Sequence, residues 1–249
     1  MVTRNYLDFV TSKIQKIKET QEDNIKKAAE LIAGSIMNGG NFYVFGTGHS
    51  HIIAEDIYLR AGGLALIKAI LEPALMIHEF PVNKSSYLER LNCYGTALIK
   101  LYKIKPEDVL LIASNSGRNA VVVEMALEAR KMGCKVVALT SLLHAKKVLS
   151  RHDSGLRLFE IADVVLDNCT EYGDAAFNID GLDTPIGPTS SITGAAVVQA
   201  LIVTVTDILI ENGYIPPVFK SSNMDGADEY NNELFEKYYG MKSIRGLMS

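Results

Sequence analysis

The sequence predicts an α/β protein built on a doubly wound, mainly parallel, five-stranded sheet. Three observations point to it. Short runs rich in Val, Ile and Leu alternate with longer segments of helical periodicity, as expected of strands covered on both faces and joined by crossover helices. The apolar run Val109–Ala113 passes directly into Ser114-Asn115-Ser116-Gly117-Arg118-Asn119, a turn of hydroxyls, amides and one glycine, and then into a helix-forming stretch. The 249 residues are 48% hydrophobic and 22% charged, which suits one α/β domain with a sizeable core.

The elements follow in order. Tyr6, Val10, Ile14 and Ile17 recur at helical spacing over residues 3–18, opposite a Lys-rich face. A second helix is expected from about Glu22 to Met37, stopped by Gly39-Gly40. Strands are expected at Asn41–Phe45, Leu64–Leu71, Asp108–Ala113, Lys135–Thr140 and Ile161–Leu166. Helices between them cover His49–Ala61, Tyr87–Tyr102 and Ala120–Met132, and the long, mostly apolar helix Thr189–Glu211 closes the core. No repeat or linker divides the chain. It reads as a single domain with a helical extension (1–40), an α/β core (41–212) and a polar C-terminal tail (213–249) suited to docking on a second subunit.

Composition narrows the function classes. A net charge of −4 and the lack of a dense Lys/Arg patch argue against nucleic acid as a partner. Met1–Asp8 carries charge at once and no apolar segment follows, so no secretory signal is expected. The run Ala195–Val205, interrupted by Gln199 and Thr204, falls short of the roughly 20 residues that span a bilayer, so no membrane partner is expected either. Cys93, Cys134 and Cys169 are odd in number and widely spaced, which fits reduced thiols in a cytoplasmic protein.

A parallel sheet of this kind binds ligands at the carboxyl ends of its strands. The turns at 46–51, 114–119, 140–143 and 167–174 are therefore expected to face one crevice. In the first, Phe45-Gly46-Thr47-Gly48-His49-Ser50-His51, the glycines would let the backbone approach an anion. His51 stands where a dinucleotide fingerprint needs its third glycine, so no nucleotide cofactor is expected. In the second turn, one N-cap would need one polar side chain. Ser114, Asn115, Ser116 and Asn119 around Gly117 exceed that and favour an anion held by N–H groups and the helix dipole. The absence of Gly-Lys-Ser/Thr there excludes a Walker A loop.

His51 and Glu55 are four residues apart and share a helix face. With His49 they read three ways: a general base with its orienting carboxylate, a set of metal ligands, or plain ligand contacts and structure. His78, after Glu72-Pro73, is the reserve candidate. His144 and His152 lie among Lys146, Lys147, Arg151 and Arg157, either an anion-attracting cluster or an ordinary solvated loop. The long acidic segment 167–188, with Glu171, Asp174, Asp180 and Asp183, reads as a lid or as a solvated excursion.

Gly46-Thr47-Gly48-His49-Ser50 together with Ser114-Asn115-Ser116-Gly117 resembles the SIS (sugar isomerase) domain, the fold of phosphoheptose isomerase and N-acetylmuramic acid 6-phosphate etherase. The resemblance covers about residues 35–212, including Lys135–Ser141 and Ala162–Leu166. Gly187–Gly194 resembles the start of the etherase's long helix. The whole chain is similar to a branch of single-SIS-domain bacterial proteins labelled phosphoheptose isomerase by analogy, through Gly48-His49-Ser50-His51, Arg60-Ala61-Gly62-Gly63, Ser114–Asn119, Pro216–Phe219 and Asn223–Glu229.

That resemblance implies a flavodoxin-like, Rossmann-like three-layer sandwich and a phosphorylated sugar as ligand. It implies binding through Gly48, Ser50, Ser114, Asn115, Ser116, Gly117 and Asn119, with Thr189 and Ser190 at the start of the long helix. Asn115 and Asn119 stand where the family usually has Ser or Thr, and amides donate as well. It further implies a homodimer or larger homo-oligomer, and isomerisation through an enediolate or a related elimination. The family's bases have no match in this sequence, and His51 or Glu55, read from the residues themselves, would move the proton. The family's glutamate late in the first helix is absent, since Leu59 and Arg60 occupy that region. A non-catalytic phosphosugar sensor and an etherase-like lyase are the alternatives, with a metal-dependent hydrolase on His49 and His51 third. The N-terminal 40 residues are too few and too weakly basic for the helix-turn-helix domain of SIS regulators.

Overall fold

The computed structural model describes residues 1–241. Helix α1 (Val2–Met37) precedes strand β1 (Phe42–Gly46), helix α2 (His51–Ile57) and strand β2 (Ile67–Ile70). Helices α3 (Lys84–Leu88) and α4 (Tyr94–Leu101) lead to β3 (Val109–Ala113), α5 (Ala120–Lys131) and β4 (Lys135–Thr140). After the short helices α6 (Leu142–Ala145) and α7 (Leu158–Ile161) come β5 (Val164–Asp167), the strand pair β6 (Ala175–Phe177) and β7 (Ile186–Pro188), and helices α8 (Ser190–Glu211) and α9 (Ala227–Tyr239).

Strands β1–β5 form one parallel sheet in the order β2-β1-β3-β4-β5. Alternation along each strand splits the core in two. Val109, Leu111 and Ala113 of β3 join the core formed with α1, α2 and α8, whereas Leu110 and Ile112 join the one formed with α4, α5 and α7. The three layers and the five strands are those the sequence predicts.

Several boundaries differ, each for a local reason. The two expected N-terminal helices are one continuous helix: no Gly or Pro interrupts residues 18–22, and Ile17, Gln21 and Ile25 continue one buried stripe across them. The expected helix 87–102 is broken at Cys93, whose φ of 68° is left-handed. Buried Glu124 holds the break, accepting from the N–H groups of Cys93 at 2.5 Å and Gly95 at 2.9 Å. Helix α2 ends at Ile57 rather than near Ala61, because Leu59 turns left-handed (φ 48°) and the chain at Gly62–Gly63 pairs with Phe219.

Two further segments depart from expectation. The 167–188 segment contains the antiparallel pair β6–β7, pinned to α1 by Phe177 against Tyr6 and Phe9 and by the Lys13–Glu171 ion pair. The tail docks on its own sheet. Lys68 Nζ donates to the Tyr238 carbonyl at 2.5 Å and the Tyr239 hydroxyl to the Ile67 carbonyl at 2.8 Å, so α9 covers the edge strand β2 and blunts it against stray pairing. The last residues of the expected tail, 242–249, lie outside the described residues.

Helix α8 is longer than the apolar run read from the sequence. Its 22 residues are long and apolar enough to cross a membrane by length and composition. Val197, Val198, Leu201, Val205 and Leu209 are buried against α1 and the sheet, the packing of a core helix.

Candidate functional site

The strand order fixes where a ligand has room. The chain leaves β1 for β2 on one side of the sheet and leaves β3 for β4 and β5 on the other. The connections diverge at the carboxyl ends of β1 and β3 and open a crevice between them. Gly46 pairs with Ala113 at that end, which sets the turns 47–50 and 114–119 beside each other. The start of α8 faces the same crevice. The result is a narrow cleft of about 260 Å³, mouth included, lined by His49, Ser50, Ser114, Asn115, Asn168, Ser190 and Ser191, with Ile53, Ala113 and Leu139 as its apolar part.

The first turn needs its glycines. A Cβ on Gly46 would lie 2.3 Å from the Ser50 carbonyl oxygen, and Gly48 has a φ of 57°. Thr47 Oγ1 donates to Glu89 Oε2 at 2.8 Å, tying the turn to the segment after α3. In the second turn Gly117 is left-handed (φ 59°), and its N–H donates to Ser114 Oγ at 3.1 Å. Asn115 is held by Asn168 Nδ2 (2.8 Å) and Thr170 Oγ1 (3.3 Å), both donating to its Oδ1. Its Nδ2 donors therefore stay unspent on these contacts. Asn119 Oδ1 accepts from Arg151 Nη1 at 2.9 Å, and its side chain does not cap α5. The Ser116 hydroxyl, half-buried, makes no hydrogen bond among the described residues.

At the start of α8 a carboxylate already occupies the donors. Asp174 Oδ1 accepts from the N–H groups of Thr189 (3.1 Å) and Ser190 (2.8 Å), and Oδ2 accepts from Ser190 Oγ at 2.6 Å. Thr189 is fully buried and its hydroxyl oxygen has no partner.

Ser50, Ser114, Asn115 and Ser190 thus meet in one cleft. Gly48, Ser116, Gly117 and Asn119 belong to the two turns that form it, and Thr189 lies just behind Ser190. His51 and Glu55 do not line it. His49 and Ile53 do, and residues two positions further on point about 200° round the helix. His51 Nδ1 lies 3.3 Å from Glu55 Oε1, and His51 is buried with its Nε2 unpartnered. Burial lowers the His51 pKa, opposed by Glu55 and reinforced by nearby His78. The ring is neutral at pH 7, and with Glu55 accepting at Nδ1 the lone pair lies on Nε2. His78 itself is exposed, outside the cleft. No three of His, Cys, Asp and Glu come together in a metal-ligating group among the described residues.

The SIS domain family matches residues 5–141, more than half of the chain. The chain belongs to the SIS domain family. The match begins inside α1. A UPF0309 protein of Halalkalibacterium halodurans is 53% identical over 234 residues, spanning 94% of this chain and 96% of that protein. A UPF0309 protein of Thermoanaerobacter pseudethanolicus is 44% identical over 237 residues, with 94% and 96% covered. This SIS domain is therefore of the UPF0309 group. Among solved structures, phosphoheptose isomerase from Neisseria gonorrhoeae superposes with a TM-score of 0.57 at 18% identity, over 82% of this chain and 97% of that one. A Bacteroides fragilis protein, described as a phosphosugar isomerase involved in capsule formation, gives 0.53 at 19% identity, over 84% and 92%. Both have the same fold.

Asn168 and Ser191 also line the SIS cleft, and motif reading did not single them out. Asn168 comes from the 167–174 turn, which the sheet topology alone pointed at the crevice; Asp174 of the same turn holds the start of α8 and is not among the lining residues. Ser191 follows Ser190 into α8. Ser141, from the 140–143 turn, is buried and donates to the Thr170 carbonyl at 2.8 Å, so it braces the site from behind.

Proposed function

We propose that this SIS protein binds a phosphorylated sugar in the cleft and acts as a sugar-phosphate isomerase of the phosphoheptose-isomerase type, without a cofactor. One observation carries the reading. Two donor sets converge on a single cleft, the glycine turn after β1 and the Ser/Asn turn after β3, and the start of α8, whose donors Asp174 holds, completes its wall. Hydroxyl, amide and imidazole groups line it and no carboxylate does, a surface that favours an anionic ligand. In the reaction, a base takes a proton from the carbon next to the sugar carbonyl, and an enediolate carries the charge. The base, which exchanges its proton with solvent, returns a proton to the neighbouring carbon while one passes between the two oxygens, so no oxidant or reductant enters. His49 lines the cleft and is the base in this proposal. His51 with Glu55 has the layout of a base with its orienting carboxylate, and it serves instead only where the turn opens to uncover Nε2.

A second reading has its own support. Helix α2 ends before Leu59 and Arg60, and neither of these is a carboxylate, so the family's late glutamate has no counterpart, which favours a phosphosugar sensor without chemistry. We further propose a cytoplasmic homodimer or larger assembly, joined through the α1–α8 side, where Val203 is 69% and Ile210 59% exposed.

The test is calorimetry with sugar phosphates, followed by NMR of any bound sugar in D₂O. Ser116→Ala is expected to weaken binding at least tenfold, and unchanged affinity would remove the phosphate-turn assignment. Solvent deuterium entering the sugar marks the isomerase, and binding without exchange marks the sensor. Loss of exchange in His49→Gln but not Glu55→Gln places the base on His49; the reverse pattern places it on His51.

A further inference from the structure

Next to the phosphate turn the structure gathers positive charge that no carboxylate pairs with. Arg118 belongs to the turn itself. Its carbonyl accepts from the Arg151 N–H at 2.8 Å, and Arg151 Nη1 donates to Asn119 Oδ1 at 2.9 Å. Two guanidinium groups are thereby tied to one six-residue turn. The charge of Arg90 reaches the same place. After burial, the fields of Arg118 and Arg90 are what lower the Arg151 pKa, with Glu89 opposing them. His144 also lies within the field of Arg118.

Three arginines elsewhere in the fold have carboxylate partners: Arg60 with Asp56, Arg130 with Asp163, and Arg157 with Glu160. Arg118, Arg151 and Arg90 form no ion pair among the described residues, and Arg118 Nε is buried with no acceptor at all. A buried guanidinium N–H without an acceptor is costly, and like charges held together add to that cost. Both penalties vanish when an anion arrives. The guanidinium fork matches the two oxygens of a carboxylate or phosphate.

We propose that Arg118 and Arg151 form a second anion subsite beside the phosphate turn, so that the substrate is a sugar carrying two anionic groups. One is the phosphate on the Ser114–Asn119 turn. The other, a carboxylate or a second phosphate, lies on the guanidinium pair. This rests on the phosphosugar reading of the cleft and narrows its substrate class. Arg151 has a further role as a positioning residue, because its bond to Asn119 sets that amide.

Calorimetry on the full chain at 0.15 M salt tests it, with fructose 6-phosphate, fructose 1,6-bisphosphate and 6-phosphogluconate as probes. At least one doubly anionic probe is expected to bind ten times or more tighter than fructose 6-phosphate, and the preferred one tells a second phosphate from a carboxylate. In Arg118→Gln and in Arg151→Gln that ratio is expected to fall to about one, while Lys100→Gln, on exposed α4 surface, preserves it. Equal binding of all three probes overturns the subsite, as does a ratio that survives both arginine changes or falls equally in Lys100→Gln. If no probe binds at all, the phosphosugar reading fails and takes the subsite with it, a result distinct from equal binding. Melting curves of each variant show that the fold is intact.

Discussion

Asp174 is the sharpest point at which to perturb the site, because its carboxylate contributes to the fold and opposes the proposed ligand. The change to make is Asp174→Asn. Asn tolerates the left-handed backbone at this position (φ 71°), and its amide oxygen still reaches the Thr189 and Ser190 N–H groups. What is lost is the charge facing the positive end of the 22-residue helix α8 and the strength of charge-assisted bonds of 2.8 and 2.6 Å. The helix-dipole part is worth about 0.3–1 kcal/mol, and weakening charged bonds to neutral ones costs on the order of 1 kcal/mol more at this half-buried position. A total of about 1.5 kcal/mol lowers the Tm of a chain this size by roughly 3–6 °C. Binding moves the other way. An anion seated in the cleft beside Ser190 would lie roughly 5 Å from the carboxylate, and two unit charges at that distance repel by about 0.8 kcal/mol even at the dielectric of water. Asp174→Asn is therefore expected to bind inorganic phosphate about fourfold tighter. Differential scanning calorimetry and phosphate titration measure the two signs. A variant that melts with the wild type and binds phosphate no better shows that the carboxylate does not hold the start of α8 in solution.

Two other outcomes follow from named contacts. Gly46→Ala places a methyl 2.3 Å from the Ser50 carbonyl oxygen and 2.6 Å from its carbon; an unfolding free energy lowered by about 1–3 kcal/mol and loss of phosphate binding are expected, and wild-type values for both would show that the turn is not built this way. The His51 and His144 pKa values are lowered by burial, so between those values and the unfolded value of about 6.5 the unfolded chain binds more protons than the folded one. Stability is then complete above about pH 6.5 and falls as the pH drops below it, and the urea midpoint followed from pH 7.5 to 5.5 should decline, less steeply in His51→Gln; a midpoint that rises on acidification contradicts the burial of these rings.

The fold was legible because its signals are local and repeated. Five Val/Ile/Leu runs, four ended by Gly, Ser or Asn and one by Glu72-Pro73, suffice to mark a parallel sheet, and burial on both faces forces that composition. Where reading failed, the deciding contact lies far away in the chain. Nothing near Cys93 announces a break in the helix, since the group that stabilises it is Glu124, 31 residues on. Nothing in residues 213–241 says that α9 covers β2, since the partners are the Ile67 carbonyl and the Lys68 ammonium. The joined N-terminal helices fail differently: no stop signal lies at 18–22, and the buried stripe of Ile17, Gln21 and Ile25 runs through it.

The site divides along the same line. Its two turns are contiguous in sequence and carry their chemistry in residue type, so Ser50, Ser114, Asn115 and Ser116 were readable. The His51–Glu55 pair was readable too, and the two residues do meet. What spacing alone does not reveal is which side of α2 faces the crevice. That is set by the pairing of Gly46 with Ala113 and by α8 lying across the cleft, which together put His49 and Ile53 on the inside. Asn168 and Asp174 were reachable only through topology: once the strand order is 2-1-3-4-5, the turn after β5 joins those after β1 and β3. In the described structure Asp174 holds the donors of α8 while Asn168 holds Asn115, so one turn both orders the phosphate loop and puts a negative charge beside it. A ligand that enters must compete with that carboxylate, and a second anionic group on the unpaired arginines would give it the means.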